Sequence, residues 1–293
     1  MHKPLLQVED LSLSFGPTKA LDNVGFSMEE GEILGLVGES GSGKTTLGRC
    51  IMGLYRPDCG SILFRGHPLS GGARRRTQAD RRAGAVCPIQ MIFQDPMGSL
   101  DPRMTVGQSI AEGLVIRGIR DKKVLEEKVA QMLEQVGLHP ACAHRYPHAF
   151  SGGQRQRIGI ARALVMEPKL LIADEAVSAL DVSVQAQVIN LLLELRQQLG
   201  LGILFISHDL AVVKYLCDRV AVMHLGKIRE IAPAEELFRE PMHDYTRSLL
   251  SAIPVPDPVM QQKREILPYA PPLQENGRLR QVKPGHFLLC EEP

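Results

Sequence analysis

The stretch Ile33-Leu34-Gly35-Leu36-Val37-Gly38-Glu39-Ser40-Gly41-Ser42-Gly43-Lys44-Thr45 joins an apolar run to a glycine-rich segment ending in lysine and threonine. Five apolar or small residues in a row suit a strand buried on both faces. The segment after them fits G-x-x-x-x-G-K-[ST], the pattern of a loop that cradles phosphates. Glycines are needed there because backbone N–H groups must turn inward with no Cβ in the way. Lys44 neutralises the β and γ oxygens of a nucleoside triphosphate, and the Thr45 hydroxyl can ligate Mg²⁺. Ser40, Gly41, Ser42, Gly43 and Thr46 complete the phosphate-binding set. Average residue usage produces this pattern in roughly one random chain in a hundred of this length, so the strand before it carries much of the weight. Together they imply binding of a triphosphate, ATP first, with Mg²⁺.

Outward from that loop, Leu5 to Phe15 and Ala20 to Val37 read as strands, interrupted by the turn Glu29-Glu30-Gly31. Val184, Val188, Leu191, Leu192, Leu195 and Leu199 share one helical face, closed by Gly200. Leu125, Val129, Met132, Leu133 and Val136, closed by Gly137, form another. Short apolar runs at Leu170 to Ala173 and Gly202 to Ile206 alternate with these helices, which predicts an α/β core with parallel strands. The mainly helical, polar stretch 96–158 reads as an insertion into that core. From Pro254 onward eight of 40 residues are proline, which predicts an extended, poorly packed tail.

Composition narrows the remaining classes. A chain of 293 residues can bury roughly three quarters of its unfolded surface, so no disulfide or metal staple is required. The 34 Lys and Arg balance 33 Asp and Glu, giving a net charge of +1 and no global pull toward polyanions. Cys50, Cys59, Cys87, Cys142, Cys217 and Cys290 form no C-x-x-C pair, as expected of reduced thiols. The start Met1-His2-Lys3-Pro4 leads into no apolar signal core, and no stretch reaches the ~18 apolar residues of a membrane span. Arg74, Arg75, Arg76, Arg81 and Arg82 crowd the segment 71–84, but no aromatic residues interleave to stack on bases, so a solvated loop is the reading.

Two further motifs carry chemistry. Leu170-Leu171-Ile172-Ala173-Asp174-Glu175 is an apolar strand ending in two acids. Downstream of a phosphate loop, this places Asp174 near the Mg²⁺ and Glu175 beside the attacking water. Ser151-Gly152-Gly153-Gln154, before the periodic run Ile158 to Val165, puts Ser151 at a helix N-cap with two glycines baring the first amides, a second anion site.

Taken in order, the phosphate loop, Phe150-Ser151-Gly152-Gly153-Gln154, Asp174-Glu175, Ser178-Ala179-Leu180-Asp181 and Ser207-His208-Asp209 closely resemble the ATPase subunits of ATP-binding cassette (ABC) transporters. The resemblance covers about residues 5–260. It implies a RecA-like P-loop NTPase core of α/β class with an antiparallel β-subdomain and an inserted helical subdomain. Residues 1–95 and 159–238 would form the core, 96–158 the helical signature subdomain and 239–293 a C-terminal extension. It also implies a head-to-tail dimer, each ATP lying between one subunit's phosphate loop and Ser151 to Gln154 of the other. By the same resemblance Gln94 senses Mg²⁺ and water, His208 contacts the γ-phosphate, Asp181 orders the dimer contact around Glu175, and Phe15 stacks on adenine where tyrosine is usual. Thr45, Gln94 and Asp174 would hold Mg²⁺.

Phe93-Gln94-Asp95-Pro96-Met97-Gly98-Ser99-Leu100-Asp101-Pro102-Arg103 and Pro241-Met242-His243-Asp244-Tyr245-Thr246 are similar to the oligopeptide, dipeptide and nickel importer ATPases. Ala176, where proline is common, resembles the second of the two ATPases such importers carry. The implied partners are therefore a second, different ATPase subunit, two transmembrane permease subunits and a substrate-binding protein, at the cytoplasmic face of a bacterial inner membrane. Membrane contact would pass only through the permeases, and nucleic acid is not an implied partner. Uptake of peptides, of nickel or a metal chelate, and a soluble ABC ATPase acting on nucleic acid or ribosomes are the functions open at this point. Many relatives carry several tail cysteines, some holding an iron–sulfur cluster, whereas only Cys290 stands here. Aerobically purified protein is expected to show no iron–sulfur absorption between 300 and 500 nm, roughly where thiolate-bound clusters absorb.

Overall fold

The computed structural model describes residues 3–69, 88–95, 98–253, 267–270 and 277–291; the arginine-rich segment 71–84 lies outside them. Two compact units are present, Met1–Gly72 with Phe205–Pro293, and Ala73–Leu204.

In the first unit, β1 (Leu6–Phe15) pairs antiparallel with β2 (Thr18–Met28) and with β4 (Cys59–Phe64), and β5 (His67–Pro68) continues a four-stranded sheet in the order β2-β1-β4-β5. The pairing of β1 with β2 runs from Leu6 opposite Met28 to Phe15 opposite Thr18. Its register slips between Val8 and Leu11, where Asp10 takes a φ of 46°. A bulge of this kind bends the strand and increases its twist. One face is apolar and buried, with Leu6, Leu11, Leu21, Val24 and Met28 all at 0% exposure.

A second sheet in this unit starts from β3 (Ile33–Val37), buried at all five positions and parallel to β9 (Arg219–His224), with Leu34 opposite Arg219 and Val37 opposite Val222. Burial on both faces explains why β3 is an unbroken apolar run and not an alternating one. β10 (Lys227–Pro233) pairs antiparallel with β9, then β12 (His286–Glu291) and β11 (Gly277–Lys283) follow. Helices α1 (Lys44–Ile51), α6 (Leu210–Leu216), α7 (Ala234–Arg239) and α8 (Asp244–Ser251) complete the unit.

In the second unit β6 (Ile89–Ile92) runs parallel to β7 (Leu170–Asp174), Ile89 opposite Leu170 and Ile92 opposite Ala173. Its helices are α2 (Val106–Ile116), α3 (Lys122–Gln135), α4 (Gly152–Leu164) and α5 (Val182–Leu199). Each has a side-chain N-cap: Thr105 and Ser151 form capping boxes with Gln108 and Gln154, and Asp121 and Asp181 cap α3 and α5. The strand β8 (Gly202–Ile206) includes the chain position at which the second unit ends, and its Gly202 amide donates to the Lys169 carbonyl at 3.0 Å.

The tail departs from expectation. Instead of an extended, poorly packed segment, residues 277–291 form the hairpin β11–β12, and β12 extends the sheet through β10, Glu230 opposite Leu288 and Ile231 opposite Phe287. Proline counting averaged over the tail hid this, because Pro284 sits in the turn beside Gly285 (φ 75°), where proline supports a hairpin. His286 anchors it. Its Nε2 lies 2.8 Å from Glu230 Oε1 and its Nδ1 2.9 Å from Glu236 Oε1, with both His286 and the Glu230 side chain fully buried. Glu230 also accepts from the Met242 and His243 amides at 2.8 and 3.0 Å.

His286→Ala is expected to destabilise the chain by about 1–3 kcal/mol, because a buried carboxylate loses a partner. Lys283→Ala, which breaks the half-exposed pair with Glu240, should cost less than about 1 kcal/mol. Midpoints of urea unfolding compare the two; equal shifts would contradict the burial argument.

Candidate active site

The first unit carries the phosphate loop. Gly38 leaves β3 with a φ of +148°, and a Cβ there would lie 2.0 Å from the Met223 carbonyl oxygen, a distance no side chain can occupy. Gly43, at φ +105°, would bring a Cβ to 2.5 Å from the Ala20 carbonyl. Both positions therefore require glycine on steric grounds as well as conformational ones. Between them the loop closes on itself. The Lys44 ammonium, 5% exposed, donates to the carbonyls of Gly38 and Glu39 at 2.8 and 2.7 Å and to Ser42 Oγ at 3.2 Å. From below, the Gly226 amide in the β9–β10 turn donates to the Ser42 carbonyl at 3.0 Å.

Gly43 is the N-cap of α1 and has no side chain with which to cap the opening turn of Lys44, Thr45 and Thr46. The first amides of a helix and the positive end of its dipole favour an anion. The donor set fits a polyphosphate: the opening turn of α1, one buried ammonium and a hydroxyl at Thr45. Phe15 ends β1 with its ring 48% exposed and edge-on to Tyr55 at 5.3 Å, leaving aromatic surface for a flat ligand. His208 is exposed in the short turn after β8. Its neighbours hold that turn: the Ser207 amide donates to the Leu36 carbonyl in β3 at 3.2 Å, and Ser207 Oγ accepts from the Asp209 amide at 3.0 Å.

The second unit carries the acids. All five residues of β7 are buried up to Asp174, at 3% exposure. Glu175 then takes a φ of +47°, a left-handed conformation sparsely used by non-glycine residues. Its carbonyl accepts from the Ser178 hydroxyl at 2.9 Å and the Ser178 amide at 3.2 Å, which holds the turn in place. Such strain is retained where the surroundings over-determine it, and it concentrates at functional sites. The register brings a partner to it. Ile92 faces Ala173, so two residues further on Gln94 faces Glu175, and Gln94 Nε2 donates to Glu175 Oε2 at 2.8 Å.

Ser151 caps α4: its Oγ accepts from the Gln154 amide at 3.4 Å while Gln154 Oε1 accepts from the Ser151 amide at 3.1 Å. The two adjacent glycines differ. Gly152 would tolerate a side chain, its nearest neighbour being Leu180 at 3.7 Å, whereas a Cβ on Gly153 would lie 2.1 Å from Val184 Cγ1. Gly153 thus permits the close approach of α4 and α5, a role that its position in the sequence did not reveal. Asp181 caps α5 by accepting from the Val184 amide at 2.9 Å and the Ser183 hydroxyl at 2.7 Å. The Val184 amide, then Ser183, holds its carboxyl below the ordinary aspartate value. Asp181, Val184 and Gly153 consequently form one contact series, and Gln94 with Glu175 another. Sequence reading missed Met223 and Gly226, which support the phosphate loop; no local pattern marks a backbone carbonyl or amide as a loop contact.

Fold and loop define a P-loop nucleotide-binding protein, and known proteins narrow the class. Residues 21–178 match the ABC transporter family model, and residues 229–278 match that of the oligopeptide/dipeptide transporter C-terminal region. The oligopeptide transport ATP-binding protein OppF of Bacillus subtilis is 50% identical over 302 residues, covering 100% of this chain and 98% of that protein. The structure of cbiO1 from Clostridium perfringens, part of the ABC transporter complex cbiONQ, is similar with a TM-score of 0.71 and 31% identity over 81% of this chain and 92% of that one. The ATP-binding cassette MJ0796, solved as a dimer bound to ADP and Pi, matches with a TM-score of 0.68 and 25% identity over 78% and 98% of the two chains. The fold is the ATP-binding cassette, mixed α/β with an antiparallel β-subdomain. The chain belongs to the ABC transporter ATP-binding proteins of the oligopeptide/dipeptide family, ATPases whose hydrolysis is coupled to transport. Among the described residues no helix is long and apolar enough to cross a membrane.

Gly153→Ala should impair the chain through packing: a clash with Val184 costs about 1–3 kcal/mol. Val184→Ala in the same chain should return part of that loss. Thermal unfolding of the two variants and the double substitution checks it, and additive losses would count against the contact.

Proposed function

We infer that this chain is the ATP-hydrolysing subunit of an ABC importer that powers uptake of peptides through partner permeases. One observation carries the nucleotide reading: a buried lysine is gripped inside a glycine loop whose backbone admits no side chain at Gly38. Family membership over the whole chain carries the transport reading.

On this reading ATP binds through Gly38, Ser40, Gly41, Ser42, Gly43, Lys44, Thr45 and Thr46, with Phe15 against adenine. Mg²⁺, when bound, neutralises phosphate charge, and Thr45, Gln94 and Asp174 are the residues assigned to hold it. Glu175 takes the proton of the attacking water or orients it, and the Gln94 amide steadies that carboxylate. His208 contacts the γ-phosphate. Ser151, Gly152, Gly153 and Gln154 serve the ATP of a second, different ATPase subunit, and Asp181 orders the contact between the two; the dimeric MJ0796 cassette supports such a pairing. Residues 96–158 act as the helical signature subdomain between the core segments 1–95 and 159–238, with 239–293 as the family's extension. Two permeases and a substrate-binding protein complete the assembly, the ATPase lying on the cytoplasmic face of the bacterial inner membrane. Closure on ATP and reopening after hydrolysis transmit motion to the permeases.

Glu175→Gln is expected to bind ATP within a few-fold of the parent affinity while turnover falls about 10²- to 10⁴-fold. Nucleotide titration and phosphate release in the reconstituted transporter measure both. Turnover at the parent rate would remove Glu175 from the proposed role.

A further inference from the structure

The C-terminal region characteristic of this family reaches back into the phosphate loop. Tyr245, in α8, is 2% exposed, and its phenolic oxygen accepts from the Glu39 amide at 3.2 Å. That amide shares a peptide unit with the Gly38 carbonyl, which accepts from Lys44 at 2.8 Å. A trans, planar peptide directs its N–H and C=O to opposite sides, so Lys44 and Tyr245 hold one rigid plate by its two edges.

The ring that provides this hydroxyl is itself fixed. It stacks on His224 at 4.0 Å between ring centres, and Tyr269 meets it edge-on at 5.3 Å. His224 directly follows Met223, whose carbonyl bars a side chain at Gly38. Burial pushes the Tyr245 phenol up to about 12 and, with Arg229 nearby, holds His224 below its usual value. The phenol therefore stays a neutral hydroxyl. The loop depends on such outside contacts for its order, because Gly38, Gly41 and Gly43 all occupy positive φ and carry no side chains of their own to pack.

We propose that Tyr245 is a positioning residue for ATP: its hydroxyl sets the plane of the Gly38–Glu39 peptide at the loop entrance, so that the following amides are aligned before the phosphates arrive. Pre-alignment lowers the ordering cost of binding, so the effect falls on affinity. The inference rests on the loop being the ATP site, which Lys44→Ala tests separately.

The test uses the full chain, Mg²⁺ and trinitrophenyl-ATP fluorescence, with hydrogen exchange at the Glu39 amide as a second readout. Tyr245→Phe keeps the stacked ring and removes the acceptor. It should raise the dissociation constant about three- to tenfold, the worth of one hydrogen bond, and speed exchange at Glu39. Tyr269→Phe removes a hydroxyl of the same cluster that has no hydrogen-bond partner among the described residues, and should leave both readouts within twofold of the parent. Unchanged affinity and exchange in Tyr245→Phe, or equal shifts in the two variants, would overturn the proposal. Retained binding in Lys44→Ala would instead remove the loop as the ATP site, whatever Tyr245→Phe does.

Discussion

Close passage of the backbone at Gly38 over the Met223 carbonyl is the constraint on which the nucleotide loop depends. With 2.0 Å between a notional Cβ and that oxygen, the chain leaving β3 has room only for hydrogen. Everything after it follows from that tight exit: the Gly38 and Glu39 carbonyls turn toward Lys44, Gly43 caps α1 without a side chain, and the helix presents its amides. A phosphate group asks for fixed donors in a concave backbone, and this geometry supplies them before any ligand binds.

The loop is held from outside as well. β9 passes beside β3 in parallel, and the turn into β10 returns the Gly226 amide to Ser42. β10 is also the strand on which the tail hairpin docks, through the buried Glu230 and His286. The residues after β10 bring Tyr245 to Glu39. Thus the family's C-terminal region is continuous with the support of the loop, through the buried contacts of Glu230, His286 and Tyr245.

In the second unit a similar economy governs Glu175. The parallel register of β6 and β7 delivers Gln94 to its carboxylate, and the turn through Ser178 holds its backbone at positive φ. A carboxylate kept in place by a neutral amide can change its bonding to water at little electrostatic cost, a property suited to a base or orienting group.

Local chemistry was legible in the sequence wherever one segment determines its own structure. The buried strand Ile33–Val37, the glycine loop, the face of α5 ended by Gly200 and the capping box at Ser151 and Gln154 each depend on residues only a few positions apart. Tertiary structure decided the rest, because those contacts join residues far apart in the chain. Gln94 meets Glu175 across 81 positions, and Glu39 meets Tyr245 across 206. The proline-rich composition after residue 254 concealed a hairpin whose anchor, His286, acquires its role only from Glu230 and Glu236. Likewise the sequence showed two adjacent glycines at 152 and 153, but only the packing of α4 against Val184 distinguishes the one that sterics require. Spacing along a chain encodes periodicity, caps and loops; which distant groups share a buried volume is set by how the strands register and the helices pack.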